Sequence, residues 1–359
     1  MTVILFLVGV VLLVFGADLL VRGAASLAAS MGVSSLIIGL TVVAVGTSSP
    51  EIAVSLQAAF QGQGAITLGN IVGSNIANVM LILGVAAMFG PLPVDRQIFR
   101  RDLPMMIGAS VLTLLLALDR ELSRVDGGIM LLGLLGYVWA IWPRDETKQA
   151  SVSHHHRQHW RSVVLQLAMV VGGLALLILG ANWLVGGAVA FASWFGVSEL
   201  IIGLTIVAVG TSLPEIATSV IAGLRGERDI AVGNVIGSNI LNLLLVLALT
   251  IVLSPQPIAV PVETVQLDLP VMIGSALVCL PIFFTRRIVS QREGSLLLVY
   301  YLSYTLYLIL SASNSEELPL YNAVVGLVLV PLTVVLLVVR ALRWLGEERR
   351  LRQMTGVAE

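Results

Sequence analysis

Two glutamates, Glu51 and Glu215, lie in the middle of long apolar segments of the sequence. A charged side chain placed there in a membrane costs at least about 2.5 to 3.5 kcal/mol on insertion, so each needs a compensating role. Glu51 ends the sequence GTSSPE and Glu215 ends GTSLPE. The proline in each removes a backbone N–H and loosens the preceding helical turn, which can turn carbonyl oxygens toward a cation. A buried carboxylate beside such carbonyls is typical of an ion site inside a membrane protein.

Neutral oxygens accompany both glutamates at helical spacing. One turn before each acid are Thr47 and Ser48, or Thr211 and Ser212. A second polar stripe repeats every four residues on the following segment, so its members share one helix face: Asn70, Ser74 and Asn78 in one copy, and Asn234, Ser238 and Asn242 in the other. Hard cations such as calcium and sodium prefer an all-oxygen shell of this kind, whereas zinc or copper would call for His or Cys.

Other interpretations of these polar residues stay open on the pattern alone. Serine, threonine and glycine are common packing residues between membrane helices, and any one hydroxyl could have that role. Asn78 and Asn242 fit direct ion ligands and helix-to-helix contacts equally well. Asn75 and Asn239 favour helix-to-helix contacts. Asp18 and Arg22 are one turn apart, which predicts an ion pair within the first helix.

The composition excludes a water-soluble fold. The 359 residues are 57% hydrophobic and 11% charged, whereas soluble domains carry about a quarter charged residues. A formal net charge of -1 argues against a nucleic-acid partner, because no basic face is available for phosphates. The single cysteine, Cys279, cannot form an internal disulfide. No cofactor and no obligatory protein partner is evident, and the expected environment is a lipid bilayer.

Eleven segments are long and apolar enough to be membrane-spanning helices, which predicts an all-α integral membrane protein. The predicted spans lie near 3–29, 35–60, 65–89, 103–118, 127–142, 163–192, 200–223, 230–253, 269–284, 295–310 and 320–339. The predicted organisation is a first unit of five spans (1–142), a polar linker (143–161), a second unit of five spans (162–311), and an extra span with a tail (312–359).

The basic residues predict the orientation, because loops rich in Arg and Lys stay cytoplasmic. With the N-terminus outside, all of the 20 Lys and Arg residues except Arg120 and Arg124 fall on the cytoplasmic side. The linker and the C-terminal tail are then cytoplasmic. The apolar N-terminus has no basic region before it, so we interpret it as the first span rather than a signal peptide.

The sequence contains an internal repeat. GVSSLIIGLTVVAVGTSSPEI from Gly32 recurs as GVSELIIGLTIVAVGTSLPEI from Gly196, and GNIVGSNIAN from Gly69 recurs as GNVIGSNILN from Gly233, both 164 residues later. Because each copy holds an odd number of spans, the second copy should enter the membrane inverted relative to the first. The eleventh span has no counterpart.

These paired motifs resemble the two repeats of the calcium/cation antiporter superfamily, and most of all its prokaryotic sodium/calcium exchangers. The resemblance covers nearly all of the first ten spans. It implies a secondary antiporter of the bacterial inner (plasma) membrane that exchanges calcium for sodium by alternating access. It also implies more than two sodium ions per calcium, which makes the exchange electrogenic.

The resemblance further implies roles for particular residues. Calcium would be held by the carboxylates of Glu51 and Glu215 with backbone oxygens of Thr47 and Thr211. The sodium ligands of the family correspond to the side chains of Ser48, Ser74, Ser212 and Ser238 and to the carbonyls of Ala44 and Ala208. The central positions of the family fall on Asn78 and Asn242.

This sequence departs from the family at two places. Prokaryotic relatives often carry Asp at the position of Asn242, so the charge at the centre is reduced here, and an amide there argues against potassium co-transport. The eleventh span is an addition to the usual ten.

Three other functions fit the sequence less well. A proton/calcium antiporter on the same fold is the nearest, although such relatives resemble a Gly-Asn-Ala-x-Glu pattern in place of Gly-Thr-Ser-x-Pro-Glu. A cation channel would not need two exchanging half-sites. A membrane enzyme is disfavoured because no nucleophile and base recur beside the glutamates.

Overall fold

The computed structural model describes residues 2–141, 160–195, 208–284, 287–313, 315–335 and 339. The predicted linker (143–161) lies outside these residues except for its last two positions. The first part of the predicted seventh span (200–207) and the C-terminal tail from 340 also lie outside them. Nearly all of the described chain is helical, because apolar segments in lipid satisfy their backbone hydrogen bonds best within a helix.

The first half, residues 1–142, contains eight helices, several of them joined end to end. They are α1 (Thr2–Met31), α2 (Ser35–Ile38), α3 (Ala44–Thr47), α4 (Ser49–Phe60), α5 (Gly64–Ala77), α6 (Leu83–Met88), α7 (Leu103–Leu116) and α8 (Arg124–Ile141). Wider π-helical turns connect or precede some of them, at Gly39–Val43, Asn78–Ile82 and Ile98–Asp102. The short strands β1 (Leu92–Pro93) and β2 (Glu121–Leu122) lie in the connections.

The described residues from 160 onward contain eight further helices. They are α9 (Trp160–Trp194), α10 (Ala208–Gly210), α11 (Leu213–Leu224), α12 (Arg228–Leu241), α13 (Ala248–Leu253), α14 (Leu269–Phe284), α15 (Gln291–Ala312) and α16 (Leu318–Val324). The π-helical turns among these residues are Asn242–Leu247, Thr264–Asp268 and Val325–Leu329. The strands among them are β3 (Ile258–Ala259) and β4 (Ile288–Val289).

The protein is a multi-pass membrane protein. Eight helices in the described residues are long and apolar enough to cross a bilayer, and a ninth span forms if Ser35–Thr47 and Ser49–Phe60, bent by 43°, count as one. These nine correspond to nine of the eleven predicted spans. The predicted fourth span contains the shorter helix α7, and of the predicted seventh only the part from residue 208 is described. One of the eight, Leu318–Val335, overlaps the segment predicted as the extra span.

The long helices α1 and α9 pack against each other through glycines. A Cβ built on Gly16 would lie 2.7 Å from the backbone nitrogen of Leu177 and 2.8 Å from the carbonyl oxygen of Gly173. A Cβ on Gly9 would lie 2.8 Å from the carbonyl oxygen of Gly180. Only a residue without a Cβ lets the two backbones approach so closely, so these glycines set the distance between the helices.

An ion pair also joins α1 to the second half. Arg22 Nη2 lies 3.0 Å from Asp18 Oδ2, which confirms the predicted pair within α1. Arg225, at the end of α11, contacts the other carboxylate oxygen of Asp18, a partner that the sequence did not indicate. Asp18 therefore links α1 to the helix that carries Glu215.

Two small strand pairs link the halves outside the helices. β1 pairs antiparallel with β4, with Leu92 opposite Val289, and β2 pairs antiparallel with β3, with Leu122 opposite Ile258. In both pairs one strand comes from each half. The loops are therefore hydrogen-bonded to each other across the two halves.

The centre of the protein is formed where α12 crosses the start of the second span. Every residue from Ile230 to Leu241 is buried. A Cβ on Gly237 would lie 2.7 Å from the carbonyl oxygen of Leu40, so the absence of a Cβ permits a close approach of the two backbones. Gly69 and Gly73, the equivalents in α5, meet nothing within 4 Å in the described part of the chain. Gly237 contacts the segment around Leu40. The equivalent segment of the second half lies within 196–207, outside the described residues.

Candidate cation-binding site

Each glutamate lies in the first turn of a helix that begins at a break in its span. Ser48 (φ −79°, ψ 8°) and Ser212 (φ −88°, ψ 5°) leave the helical conformation, and α4 and α11 begin at the next residue. Pro50 and Pro214 occupy the second position of the new helices, where a missing N–H breaks no hydrogen bond. Glu51 and Glu215 follow directly. The partial positive charge of a helix N-terminus favours a carboxylate at this place.

Glu51 is fully buried, at 0% exposure, and is contacted by residues of both halves. Its Oε1 atom accepts a hydrogen bond from Ser74 Oγ over 3.3 Å. Ser212 Oγ, from the second half, lies 3.5 Å from the same oxygen and 3.4 Å from Ser74 Oγ. The other carboxylate oxygen, Oε2, is buried and has no hydrogen-bond partner among the described residues.

Glu215 has a related but simpler environment. Its Oε1 atom accepts a hydrogen bond from Ser48 Oγ of the first half over 3.2 Å. Its Oε2 atom is buried without a partner in the described part of the protein. Ser238, the equivalent of Ser74, is also buried, and its hydroxyl has no partner there either. The two halves of the site therefore differ in how their serines are used.

Two asparagines that the sequence placed only in a polar stripe, Asn70 and Asn234, connect the halves behind the glutamates. Asn70 Nδ2 donates to the Glu51 carbonyl oxygen over 3.3 Å, and its Oδ1 accepts from Thr211 Oγ1 over 3.4 Å. Asn234 Nδ2 contacts the Glu215 carbonyl oxygen at 3.5 Å, and its Oδ1 accepts from Thr47 Oγ1 over 3.1 Å. Both threonine hydroxyls are thus engaged with the opposite half. The signal in the sequence for these two asparagines was the Gly-Asn pair that begins the polar stripe in both halves.

Asn78 and Asn242 lie where α5 and α12 widen into π-helical turns, a local geometry that is frequent at functional sites. Asn78 is one turn beyond Ser74 and shares its helix face. The Nδ2 atoms of both asparagines donate to amide oxygens of the opposite half. Their Oδ1 atoms are buried and unpartnered within the described residues. Each side chain therefore makes a helix-to-helix contact and still has an unpartnered oxygen that could bind a cation.

Ala44 and Ala208, which were predicted to be sodium ligands through their backbone carbonyls, lie one turn before the breaks at Ser48 and Ser212. The Ala44 carbonyl oxygen accepts from Ser48 N over 3.1 Å and from Thr47 Oγ1 over 3.4 Å. Ala208 is the first residue of α10, directly after the undescribed segment. Thr218 Oγ1, one turn beyond Glu215, is a further buried hydroxyl without a partner in the described residues, and no pattern in the sequence predicts it.

The arrangement has the chemistry of a hard-cation site. Buried oxygens without a partner are costly, and those described here are two carboxylate oxygens, two amide oxygens and the hydroxyls of Ser238 and Thr218. A dehydrated calcium or sodium ion would satisfy such oxygens, since both prefer carboxylate, amide and carbonyl ligands. No group of three or more His, Cys, Asp or Glu side chains arranged to hold a metal ion occurs in the part of the chain that the structure describes. Charge in this site therefore comes from two glutamates.

Comparison with known proteins identifies relatives along almost the whole chain. The family model "Sodium/calcium exchanger protein" matches residues 1–142 and 165–310. The putative antiporter CaxA of Alkalimonas amylolytica is 39% identical over 321 residues, which cover 86% of this chain and 98% of the relative. The sodium/calcium exchanger MaX1 of Methanosarcina acetivorans is 33% identical over 343 residues, covering 85% and 97% of the two chains.

The fold is similar to that of a solved exchanger. A structure of the sodium-calcium exchanger NCX_Mj matches with a TM-score of 0.72 and 30% sequence identity, over 84% of this chain and 96% of that one. The helix over Leu318–Val335 lies beyond both matched ranges of the family model. Members of this family are transporters and not enzymes. The family model matches most of the chain, and these relatives support the match. The chain therefore belongs to the sodium/calcium exchanger protein family and is a membrane cation antiporter.

Proposed function

We propose that the protein is a secondary antiporter that exchanges calcium for sodium, with Glu51 and Glu215 at the centre of the transport site. The observation that carries the proposal is the pair of fully buried carboxylates, each with one unpartnered oxygen beside unpartnered neutral oxygens. A calcium ion would be neutralised by the two carboxylates. The remaining ligands would be the predicted set: Thr47, Thr211, Ser48, Ser212, Ser74, Ser238, Asn78, Asn242, Ala44 and Ala208.

Sodium is the favoured counter-ion because serine hydroxyls contact both glutamates. Ser48, Ser74 and Ser212 lie within 3.5 Å of a carboxylate oxygen. A monovalent ion gains less from the carboxylates than calcium does and depends more on neutral oxygens. A proton would need only a carboxylate. The relative MaX1, named a sodium/calcium exchanger, supports the same choice.

Alternating access would follow from two inverted five-helix repeats, 1–142 and 162–311, joined by the linker 143–161. The reciprocal strand pairs support this architecture, because each takes one strand from each half. The reciprocal serine contacts support it too, because each glutamate receives a hydroxyl from the other half. Residues 312–359 would add one span and a cytoplasmic tail outside the symmetry.

The membrane is proposed to be the bacterial inner (plasma) membrane, with the N-terminus outside and the C-terminus in the cytoplasm. Arg120 and Arg124 would then be the basic residues on the outer side, and the other 18 of the 20 would be cytoplasmic. Under this orientation β1 and β4 lie on the cytoplasmic side, and β2 and β3 lie outside.

The exchange is proposed to be electrogenic. One calcium brings two ionised carboxylates to neutrality. The neutral oxygens add ligands beyond those carboxylates, and the family resemblance implies more than two sodium ions per calcium. More than two sodium ions per calcium move net charge, which is worth about 2.3 kcal/mol per elementary charge per 100 mV. A potential negative inside would then favour sodium entry and calcium export.

The test is calcium flux in liposomes that contain the purified protein. Calcium release should require an opposing sodium gradient and should accelerate when potassium and valinomycin hold the interior negative. Flux that follows a proton gradient and ignores sodium would favour the proton/calcium antiporter instead. Calcium flux that needs no counter-ion and does not saturate as the calcium or sodium concentration rises would indicate a channel.

A further inference from the structure

Asn75 and Asn239 form two crossed relays behind Asn78 and Asn242. In one relay Asn78 Nδ2 donates to Asn239 Oδ1 over 3.3 Å, and Asn239 Nδ2 donates to Met106 Sδ over 3.3 Å. In the other, Asn242 Nδ2 donates to Asn75 Oδ1 over 3.1 Å, and Asn75 Nδ2 contacts Met272 Sδ at 3.6 Å. Each relay alternates between the halves of the protein.

The outer end of each relay fixes its direction. A thioether sulfur accepts hydrogen bonds and cannot donate them, so the amide group next to it must present its nitrogen. Asn239 then presents its oxygen to residue 78, and Asn75 presents its oxygen to residue 242. Asn75 Nδ2 also donates to the backbone carbonyl oxygen of Asn239 over 3.2 Å, which fixes that amide a second time.

The inner end of each relay is an unpartnered oxygen. Because Asn78 must donate through its nitrogen, its Oδ1 atom is the one left over, and the same holds for Asn242. Both side chains are at most 1% exposed, so no bulk water satisfies these oxygens. If either amide turned around, it would bring two oxygens together at the relay contact and offer hydrogens to the site.

We propose that Asn75 and Asn239 are positioning residues that keep the Asn78 and Asn242 amides turned with their oxygens toward the transported cation. This inference rests on the proposed function and extends it. At these positions an amide, unlike a carboxylate, is a ligand in only one of its two orientations. Met106 and Met272 set that orientation through Asn239 and Asn75. The recognised ligand is a hard, oxygen-preferring cation such as Ca²⁺ or Na⁺.

The test is a double-mutant cycle between residues 239 and 78, measured as ⁴⁵Ca²⁺ binding to the purified full-length protein. Asn239→Leu should weaken calcium binding by about tenfold or more, as removal of a partner behind a metal ligand usually does. The same substitution in an Asn78→Asp background should change binding by less than about twofold, so the two substitutions should be strongly non-additive, as expected for residues in direct contact. A carboxylate at 78 has an oxygen in either orientation and needs no positioning.

Two further variants keep the result clear if Asn239→Leu folds poorly. Met106→Leu keeps the side-chain volume but removes the acceptor, so it should weaken calcium binding in the wild type and not in Asn78→Asp. Asn75→Leu tests the second relay in the same way against Asn242→Asp. Melting temperatures of all variants, measured without calcium, show whether the fold is retained.

The outcomes separate the inference from the function on which it rests. Calcium binding that Glu51→Gln abolishes supports the proposed site. Given that result, an equal loss for Asn239→Leu in both backgrounds, or no loss in either, overturns the positioning role alone. A wild type that binds neither calcium nor sodium contradicts the proposed function and the inference together.

Discussion

Ser48 Oγ donates a hydrogen bond to Glu215 Oε1 over 3.2 Å, although 167 residues separate the two in the chain. Ser212 Oγ lies 3.5 Å from Glu51 Oε1, across 161 residues. Each glutamate thus has a hydroxyl from the opposite half beside it. The proposed site therefore draws on both halves, and a change in the contact between the halves would change the oxygens beside each glutamate.

The first prediction concerns Ser48. Ser48→Ala removes a hydroxyl that contacts a buried carboxylate, a bond worth about 1.5 to 3 kcal/mol. We expect the sodium concentration for half-maximal calcium release to rise by about tenfold, which corresponds to about 1.4 kcal/mol. The matched control is Ser49→Ala, since Ser49 Oγ donates to the carbonyl oxygen of Gly46 and to no carboxylate among the described residues, and its sodium dependence should be unchanged. An equal effect of both variants would contradict the role of Ser48.

The second prediction separates Ser74 from Ser238, which are equivalent in sequence and different in contacts. Ser74 Oγ donates to Glu51, so Ser74→Ala should lower the melting temperature of sodium-free protein. Ser238 Oγ has no partner within the described residues, so Ser238→Ala should leave that temperature unchanged or raise it.

The same two variants should behave alike when sodium is added. An ion that binds only the folded protein stabilises it in proportion to the logarithm of its concentration over Kd. Both variants lose a proposed sodium ligand, and both should show a smaller rise in melting temperature with sodium. A full sodium response in both would make the two serines packing residues.

The third prediction concerns the charge of the site. Glu51→Gln and Glu215→Gln should each abolish sodium-dependent calcium uptake into vesicles, because a dehydrated divalent ion needs both carboxylates. Both proteins should still purify as a single species, since glutamine keeps the size of the side chain and one acceptor oxygen. Glu316→Gln, at an exposed position, is the control and should transport normally. Uptake near the wild-type rate in either site variant would remove that residue from the site.

Much of this architecture could be predicted from the sequence. Long apolar runs predict membrane helices directly, and nine of the predicted spans are found as spans, with the bent pair counted as one. The break at Ser48 and Ser212 follows from the prolines two residues later. The duplicated motifs indicated which residues belong together, because a repeat marks its own equivalent positions.

The contacts between the halves could not be predicted, because they depend on how two helices cross. The use of Ser74 but not Ser238 as a donor to glutamate breaks an equivalence that the repeat implies. The roles of Asn70 and Asn234 depend on threonines 141 and 187 residues away. The ion pair of Arg225 with Asp18 likewise joins segments that no local pattern relates.

The fourth prediction tests the close contact of α1 and α9. Gly16→Ala should destabilise the protein by about 1 to 3 kcal/mol, because its Cβ would lie 2.7 Å from the Leu177 backbone nitrogen. Gly108→Ala is the control, because a Cβ there meets nothing within 4 Å and alanine favours the helix. Thermal unfolding of both variants in detergent measures the difference. Equal melting temperatures would mean that the helices separate easily.

The fifth prediction concerns orientation. A cysteine at Thr2 should react with an impermeant thiol reagent added outside intact cells, and one at Ser151 should react only after the membrane is opened. The native Cys279 is buried and should contribute little background. The reverse labelling pattern would contradict the proposed topology.

The contact between α1 and α9 also constrains how the protein is made. Ser30 at the end of α1 bonds Gln166 of α9, which lies 136 residues later in the chain. At the usual rate of synthesis, α1 leaves the ribosome on the order of ten seconds before its partner. During that time its glycine-lined face lacks the helix that covers it in the finished protein. Substitutions of Gly9 or Gly16 should therefore reduce the yield of newly inserted protein as well as the stability of the finished one.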